Sequence, residues 1–478
     1  MTTNQHQNVV RFITAGSVDD GKSTLIGRLL YDTKSILVDQ LESLSKTKHA
    51  RVTSSDAGVD LALLTDGLEA EREQGITIDV AYRYFSTPKR KFIVADAPGH
   101  EQYTRNLVTG ASQSDVAVIL VDATRVDLTT SPATLLDQTK RHAAIVHLLG
   151  LRHVVFAINK MDLFEFDEKV YNTIRSAIED LAKRIGLPTP TLIPISALLG
   201  ANVVTRSQHT PWYNGPTLLE LLEGLDASPE SEKLALRFPV QYVARQDGSA
   251  SDDFRGYLGE IESGSIRKGQ KIKVLPGGSE ATIAEIYLGN HSNRLQKNGS
   301  NAVDSAETGD AVAIKLAEDI DISRGSLFIN SEDSKPPVLS KQLSADLCWL
   351  DSEPLSLSRK YALRHTTNTV GAKVKNIQQV LDVKTLSHAS DVHALSTNEI
   401  GRVDFILQKP IVADLFDQSQ RTGAFILIDE ATNHTVAAGM IREAAPPVTP
   451  STRFSQKKSH PKGWLKEIYG GATKTTTE

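Results

Sequence analysis

Apolar residues in the first half of the chain fall into short β-favouring runs separated by stretches of helical spacing. Val9, Val10, Phe12 and Ile13 form one such run, and Leu25, Ile26, Leu29 and Leu30 then recur at helical intervals. Further strand-like runs lie at Val80–Phe85, Lys91–Ala95, Asp115–Ala123, His153–Ile158 and Thr191–Ile195. Ile36, Leu37, Leu41 and Leu44 suggest an amphipathic helix within Tyr31–Gln74, and Leu218–Leu225 reads as a last helix. This alternation predicts an α/β domain whose sheet is mixed but mostly parallel, with helices on both faces. Asp226–Lys233 (DASPESEK) reads as a linker, and helical periodicity then largely disappears. From Leu236 short strand runs alternate with Gly, Asn, Asp and Ser clusters, as in Tyr257–Gly278, which predicts a β-barrel. Pro336-Pro337 marks another boundary, and a second β-rich region runs from Leu339 to Met440, including Phe425–Ile428 and Val436–Met440. The expected organisation is an α/β domain over 1–233, β-barrels over 234–336 and 337–444, and a flexible tail over 445–478.

Composition narrows the class without changing that picture. A chain of 478 residues, 40% hydrophobic and 23% charged, can bury several cores. A net charge of −5 gives no global pull towards nucleic acid or anionic membrane. The lone cysteine, Cys348, excludes an internal disulfide framework and fits a reducing compartment; it reads as a small buried apolar residue. The N-terminus lacks a basic-then-apolar signal pattern, and no apolar run approaches a membrane span, so a cytoplasmic protein is expected. The tail reads as solvated and flexible, although Lys457, Lys458, Lys462 and Lys466 could touch a polyanion.

The chemistry concentrates at the C-terminal ends of the predicted strands, where open α/β sheets bind ligands. Gly16-Ser17-Val18-Asp19-Asp20-Gly21-Lys22-Ser23 fits G-x-x-x-x-G-K-[ST], between a strand and a helix that continues through Thr24. Glycines let such a loop wrap a phosphate chain with its N–H groups turned inward at a helix N-terminus. Lys22 is expected to reach the β- and γ-phosphates and Ser23 to hold Mg²⁺. Asp96-Ala97-Pro98-Gly99-His100 closes another strand run. Asp96 stands where a Walker-B carboxylate holds Mg²⁺, and Gly99 would offer its N–H to the γ-phosphate. A lone histidine is usually a surface or structural residue; directly after a γ-phosphate sensor, His100 is placed to orient the attacking water.

Asn159-Lys160-Met161-Asp162 ends the next strand run. The Asp162 carboxylate can accept from guanine N1–H and the 2-amino group together, whereas adenine presents neither donor. Lys160 would lie along the base plane, and Asn159 would tie its loop to the P-loop. Ser196-Ala197-Leu198 resembles the loop whose backbone contacts guanine O6, and Gly75-Ile76-Thr77-Ile78-Asp79 looks like the first switch of a GTPase, with Thr77 as a second Mg²⁺ ligand. Taken in order, these motifs predict a P-loop GTPase domain that binds GTP–Mg²⁺. Neither barrel shows a further P-loop, metal cluster or nucleophile–base pair, so both read as rigid partner-binding modules.

A G domain followed by two barrels resembles the elongation factor 1A/Tu superfamily over nearly the whole chain. Translation factors typically carry His where this chain has Ser17 and Asp20. The stretches GSVDDGKSTLIGRLLYD, DGLEAEREQGITIDVAYRYF, APGHEQYTRNLVTGAS, DFRGYLGEIESG and TGAFILIDEATNHTVAAGMI look like the large, GTPase subunit of bacterial sulfate adenylyltransferase. Ala97 departs from that family's usual Thr, with a side chain expected to point away from the phosphates. The resemblance implies that Val18 and Ile76 form an apolar gate beside His100. It also implies GTP hydrolysis coupled to formation of adenylylsulfate and pyrophosphate from ATP and sulfate, the first step of sulfate assimilation. The adenylylating site would belong to a separate small catalytic subunit in a heterodimer that could assemble further. Some relatives carry a fused adenylylsulfate kinase; residues 445–478 hold no second P-loop, so that kinase is expected to be absent or separate. No nucleic-acid partner is expected. The rival from another class is a translation-factor-like GTPase whose barrels hold aminoacyl-tRNA, since local basic patches can bind RNA on an acidic protein.

Overall fold

The computed structural model describes residues 9–36, 79–225, 234–246, 254–289, 302–382, 384–390 and 392–446. Ile76, Thr77, the linker 226–233, nearly all of the tail and the helix expected beyond Ile36 lie outside these residues. The N-terminal unit comprises β1 (Val9–Ala15), α1 (Lys22–Asp32), β2 (Ala81–Ser86), β3 (Lys91–Asp96), α2 (Thr104–Ala111), β4 (Val116–Asp122), α3 (Asp137–Leu148), β5 (His153–Asn159), α4 (Glu168–Ile185), β6 (Thr191–Pro194) and α5 (Leu218–Gly224). Its six strands lie in the order β2-β3-β1-β4-β5-β6, parallel throughout except for β2.

The sequence explains this layering. Every residue of β4 (VAVILVD) is buried, as a strand covered by helices on both faces requires. On one face Leu25, Ile26 and Leu29 of α1 pack with Leu218 and Leu222 of α5. On the other, Leu107 of α2, Ile145 of α3 and Ile174 and Ile178 of α4 share a core. Local chemistry sets the helix ends: Asp167 caps α4 through the Lys169 N–H, Gly186 ends it at φ 77°, and Thr217 and Glu220 close a capping box on α5. From β1 the chain goes out to the edge strand β2, returns through β3 beside β1, then crosses to β4 on the other side of β1. That reversal opens a crevice beyond the C-terminal end of β1.

Two barrels follow. In the first, the sheet path begins at Phe238–Pro239 and ends at Tyr242–Gln246, two halves of one kinked segment, so it returns on itself around a core of its own. The second closes through Lys360–His365, Ala424–Asp429, Thr435–Ala445, Val338–Trp349, Ile400–Ala413 and Asn368–Asp382, the last pairing back with the first. Arg237 joins the barrels: it donates to Asp414 at 2.8 and 2.9 Å and to Asp333 at 2.6 Å, with all three side chains almost fully buried. The second barrel also shares a core with the N-terminal unit. Cys348, Leu350, Ile400, Phe416 and Met440 belong to the same apolar cluster as α2, α3 and α4. Arg184 donates to Thr385 O at 2.7 Å and Gln420 to Gly150 O at 2.7 Å across this seam.

Candidate nucleotide site

The loop between β1 and α1 holds a backbone that few residues adopt. Gly16, Asp19 and Gly21 have φ of 147°, 65° and 92°. A Cβ on Gly21 would lie 2.4 Å from Asn159 Nδ2, and one on Gly16 would lie 2.9 Å from Leu120 O, so side chains are excluded there. Lys22 is buried, and its Nζ donates to Ser17 O at 2.8 Å and to Gly16 O at 3.2 Å. Burial lowers its pKa, while Asp96 and Asp20 oppose that shift.

Asp20 is fully buried. Its Oδ2 accepts the Ser17 N–H at 2.5 Å, while Oδ1 accepts no hydrogen bond and lies 3.7 Å from the Arg125 guanidinium. Burial is the main cause that pushes its carboxyl up to about 6, with Lys22, the Ser17 N–H and Arg125 pulling the other way. Arg125 also donates to Val18 O at 2.5 Å. From α3, His142 reaches under the loop and accepts the Gly16 N–H on Nδ1 at 3.0 Å. Burial, with Lys22 and Arg141 adding repulsion, lowers the His142 pKa to about 3. Only the neutral ring offers Nδ1 as an acceptor, so this environment selects the form that the contact needs.

The segment after β3 lies directly on this loop. Asp96, 2% exposed, accepts from Thr14 Oγ1 at 3.1 Å. A Cβ on Gly99 would meet Lys22 Nζ at 2.6 Å and the Ser17–Val18 backbone at 2.8 Å. His100 is half-buried, edge-on to Tyr103, and opens a 3-10 turn over Glu101–Tyr103. Ala97 and Pro98, which precede it, are buried. Among the described residues no group of three or more His, Cys, Asp and Glu could hold a metal. Ser23, half-buried in the first turn of α1, and Asp96 instead offer the sparse hard-oxygen set that suits Mg²⁺ completed by phosphate and water. Ile76 and Thr77 lie outside the described residues.

The loops after β5 and β6 form the other half. Asn159, 2% exposed, donates from Nδ2 to Asp20 O at 2.8 Å and accepts the Ala197 N–H on Oδ1 at 2.9 Å. One side chain thereby joins the phosphate loop to both base-side loops. Lys160 adopts φ 62° and pairs with Asp122 at 2.7 Å. Met161 is buried and Asp162 half-buried. Ser196 Oγ accepts the Leu199 N–H at 3.1 Å, and Arg28 holds Ala197 O at 3.3 Å and also donates to Leu198 O. Leu198 stays partly exposed at the rim.

Sequence motifs therefore mark residues that the fold brings together at one crevice. They miss His142, Arg125, Thr14 and Asp122. Asp122 left a signal, a carboxylate closing the apolar run of β4 level with Asn159 in the sheet. His142 left none, because a histidine inside a helix carries no local motif.

Comparison with known proteins agrees with this geometry. Residues 7–230 match the model of the elongation factor Tu GTP-binding domain, and residues 342–442 match the GTP-eEF1A C-terminal domain-like family. Sulfate adenylyltransferase subunit 1 of Shewanella oneidensis is 49% identical over 441 residues, covering 91% of this chain and 86% of that protein. The protein of the same name from Citrobacter koseri is 46% identical, covering 93% and 88%. The bifunctional enzyme CysN/CysC of Mycobacterium tuberculosis is 46% identical, covering 94% of this chain and 70% of the relative. With a GTP-binding P-loop domain leading two barrels, and with this similarity along nearly its full length, the chain belongs to the sulfate adenylyltransferase subunit 1 family.

Proposed function

We propose that this chain is the GTP-hydrolysing, energy-coupling subunit of a sulfate adenylyltransferase, and that a separate small subunit forms adenylylsulfate and pyrophosphate from ATP and sulfate. The observation that carries the reading is Asn159 bridging the phosphate loop to the 196–198 loop. It makes one site with guanine chemistry, and ATP then needs a site on another chain. The family name, subunit 1, itself implies a partner subunit in the complex. A separate adenylylsulfate kinase would consume the product. No helix among the described residues is long and apolar enough to cross a membrane, and the buried free Cys348 suits a cytoplasmic setting.

Sulfate is a weak nucleophile, and the anhydride formed is high in energy, so adenylylation alone lies far towards ATP. Hydrolysis gated to the partner's cycle can drive it forward. Within this chain, Asp162 selects guanine, while Lys22 and the N–H groups of residues 16–24 cradle the phosphates. Ser23, Thr77 and Asp96 would hold Mg²⁺, which supplies charge neutralisation at the phosphates. The Gly99 N–H senses the γ-phosphate, and His100 orients the attacking water, screened by Val18 and Ile76. Thr77 and Gly99 together order the switch segments on GTP.

Adenylylsulfate synthesis by the reconstituted pair, with and without GTP, tests this reading. GTP stimulates the wild type, and Thr77→Ala and His100→Ala abolish the stimulation while leaving basal synthesis by the partner intact. If Thr77→Ala kept full stimulation, the coupling through switch ordering would be wrong. GTP-dependent retention of aminoacyl-tRNA on a filter at moderate salt would revive the RNA-carrier reading.

A further inference from the structure

The turn that follows His100 is gripped from two sides. Arg141 of α3 pairs with Glu101 Oε1 at 2.8 Å. From the second barrel, Asn398 Nδ2 donates to the main-chain carbonyl of Glu101 at 2.9 Å, an acceptor it shares with Thr104 Oγ1. Asn398 is 7% exposed and sits at φ 66°, and its own N–H is bound to Trp349 O at 2.8 Å. The neighbouring carbonyl of the same barrel, Leu350 O, accepts from Arg105 at the start of α2 at 3.0 Å. A barrel loop with a left-handed residue thus delivers an amide donor to the residue next to His100.

Resting on the reading that His100 orients the attacking water, we propose that Asn398 is a positioning residue for hydrolysis. By holding the Glu101 carbonyl it fixes the first peptide of the turn that directly follows His100, so the seat of the second barrel on the N-terminal unit bears on the His100 geometry through that turn. The polarity of the contact is the specific content. Asn398 must donate; a residue that only fills the space does not serve. The same α3 helix supplies Arg141 to Glu101 and, at the next position, His142 to Gly16. A shift of the barrel against α3 therefore reaches the water-orienting turn and the phosphate loop together.

Two variants separate donation from filling. Asn398→Gly keeps the left-handed backbone and deletes the amide. Asn398→Asp keeps the shape and replaces the donor by an acceptor that repels the Glu101 carbonyl. Single-turnover GTP hydrolysis, GTP and GDP affinity and the melting temperature are measured on the full chain beside His100→Ala. The hydrolysis rate is expected to fall roughly threefold to tenfold in Asn398→Gly and at least as far in Asn398→Asp, the range that one modest hydrogen bond controls. Nucleotide affinity should stay at the wild-type value in both variants and the melting temperature in Asn398→Gly, whereas the buried, repelled carboxylate of Asn398→Asp should lower the melting temperature. Wild-type hydrolysis in Asn398→Asp, or rate and melting temperature falling together in Asn398→Gly, would overturn the proposal and leave Asn398 a packing residue. Unchanged hydrolysis in both variants, with His100→Ala inactive, would overturn it too. If His100→Ala itself hydrolyses normally, the reading of His100 fails first and this inference falls with it.

Discussion

The two halves of the nucleotide crevice are built differently. The base half is held mainly by its own loops: Asn159 and Ser196 tie residues 159–162 to 196–199, with Arg28 of α1 and Asp122 of β4 reaching them from neighbouring elements. The phosphate half leans on distant elements, with His142 from α3 under Gly16, Arg125 on Val18 and Gly99 from the segment after β3 against Lys22. A base pocket only has to recognise. A phosphate pocket has to respond when the γ-phosphate leaves, and response requires contacts that reach other parts of the molecule. Substitutions in the base half should therefore change which nucleotide binds, whereas substitutions in the phosphate half should change stability and hydrolysis as well.

The largest effect is expected from Asp162→Asn. Under the proposed function it removes the carboxylate that would accept two guanine N–H bonds, so GTP affinity should fall by ~100-fold or more, about 3 kcal/mol. Xanthine nucleotides, which carry a carbonyl in place of the 2-amino group, should bind the variant better than GTP. Titration calorimetry reads both, with the melting temperature of the free protein unchanged. In the other half, His142→Ala leaves the Gly16 N–H buried without an acceptor and opens a cavity. Denaturant unfolding should show a loss of about 2–3 kcal/mol, and GTP binding should weaken while guanosine binding does not. If His142→Ala weakened guanosine and GTP equally, the division into halves would be wrong.

Gly99→Ala sets a Cβ within 2.6 Å of Lys22 Nζ and 2.8 Å of the Ser17–Val18 backbone. The segment must retreat, and GTP affinity should drop by about tenfold, with GDP affected less. The smallest change sharpens the electrostatics. Asp20→Asn removes a buried charge whose carboxyl burial holds at about 6, so the nucleotide-free protein should gain about 1–2 kcal/mol at pH 7.5 by denaturant unfolding.

The pH dependence carries the same signature. His142 is pushed from 6.5 to about 3 by burial, so between those values the unfolded chain binds more protons, and stability falls as pH drops from 6.5 towards 3. Asp20 is raised from 3.8 to about 6, so in that window the native state binds more protons, and its contribution rises as pH drops. The two slopes oppose each other in the wild type. Asp20→Asn should therefore steepen the loss of stability on acidification, which denaturant unfolding between pH 4 and 7 would show.

The same division explains what could be read without coordinates. The P-loop and the 96–100, 159–162 and 196–198 segments carry chemistry in contiguous residues at strand ends, so spacing exposes them. The apolar runs give the sheet strands to within a residue or two, because strands buried on both faces need unbroken apolar stretches; β4 is the clearest case. His142, Arg125, Arg141 and Asn398 were not legible. Each lies on a helix or loop far along the chain from its contact, and its role exists only once the sheet order and the seat of the second barrel are fixed. The first barrel's closure through one kinked strand, Phe238–Gln246, was equally hidden, since a kink leaves no periodicity of its own.

One measurement tests the central claim most directly: GTP hydrolysis and pyrophosphate release followed in one tube, first with this chain alone, then with a small sulfate adenylyltransferase subunit, ATP and sulfate. Hydrolysis should rise only when every component is present, and adenylylsulfate should accumulate beyond its basal level only with GTP. Hydrolysis indifferent to the partner and its substrates, yet stimulated by aminoacyl-tRNA or ribosomes, would contradict the account while leaving the architecture intact.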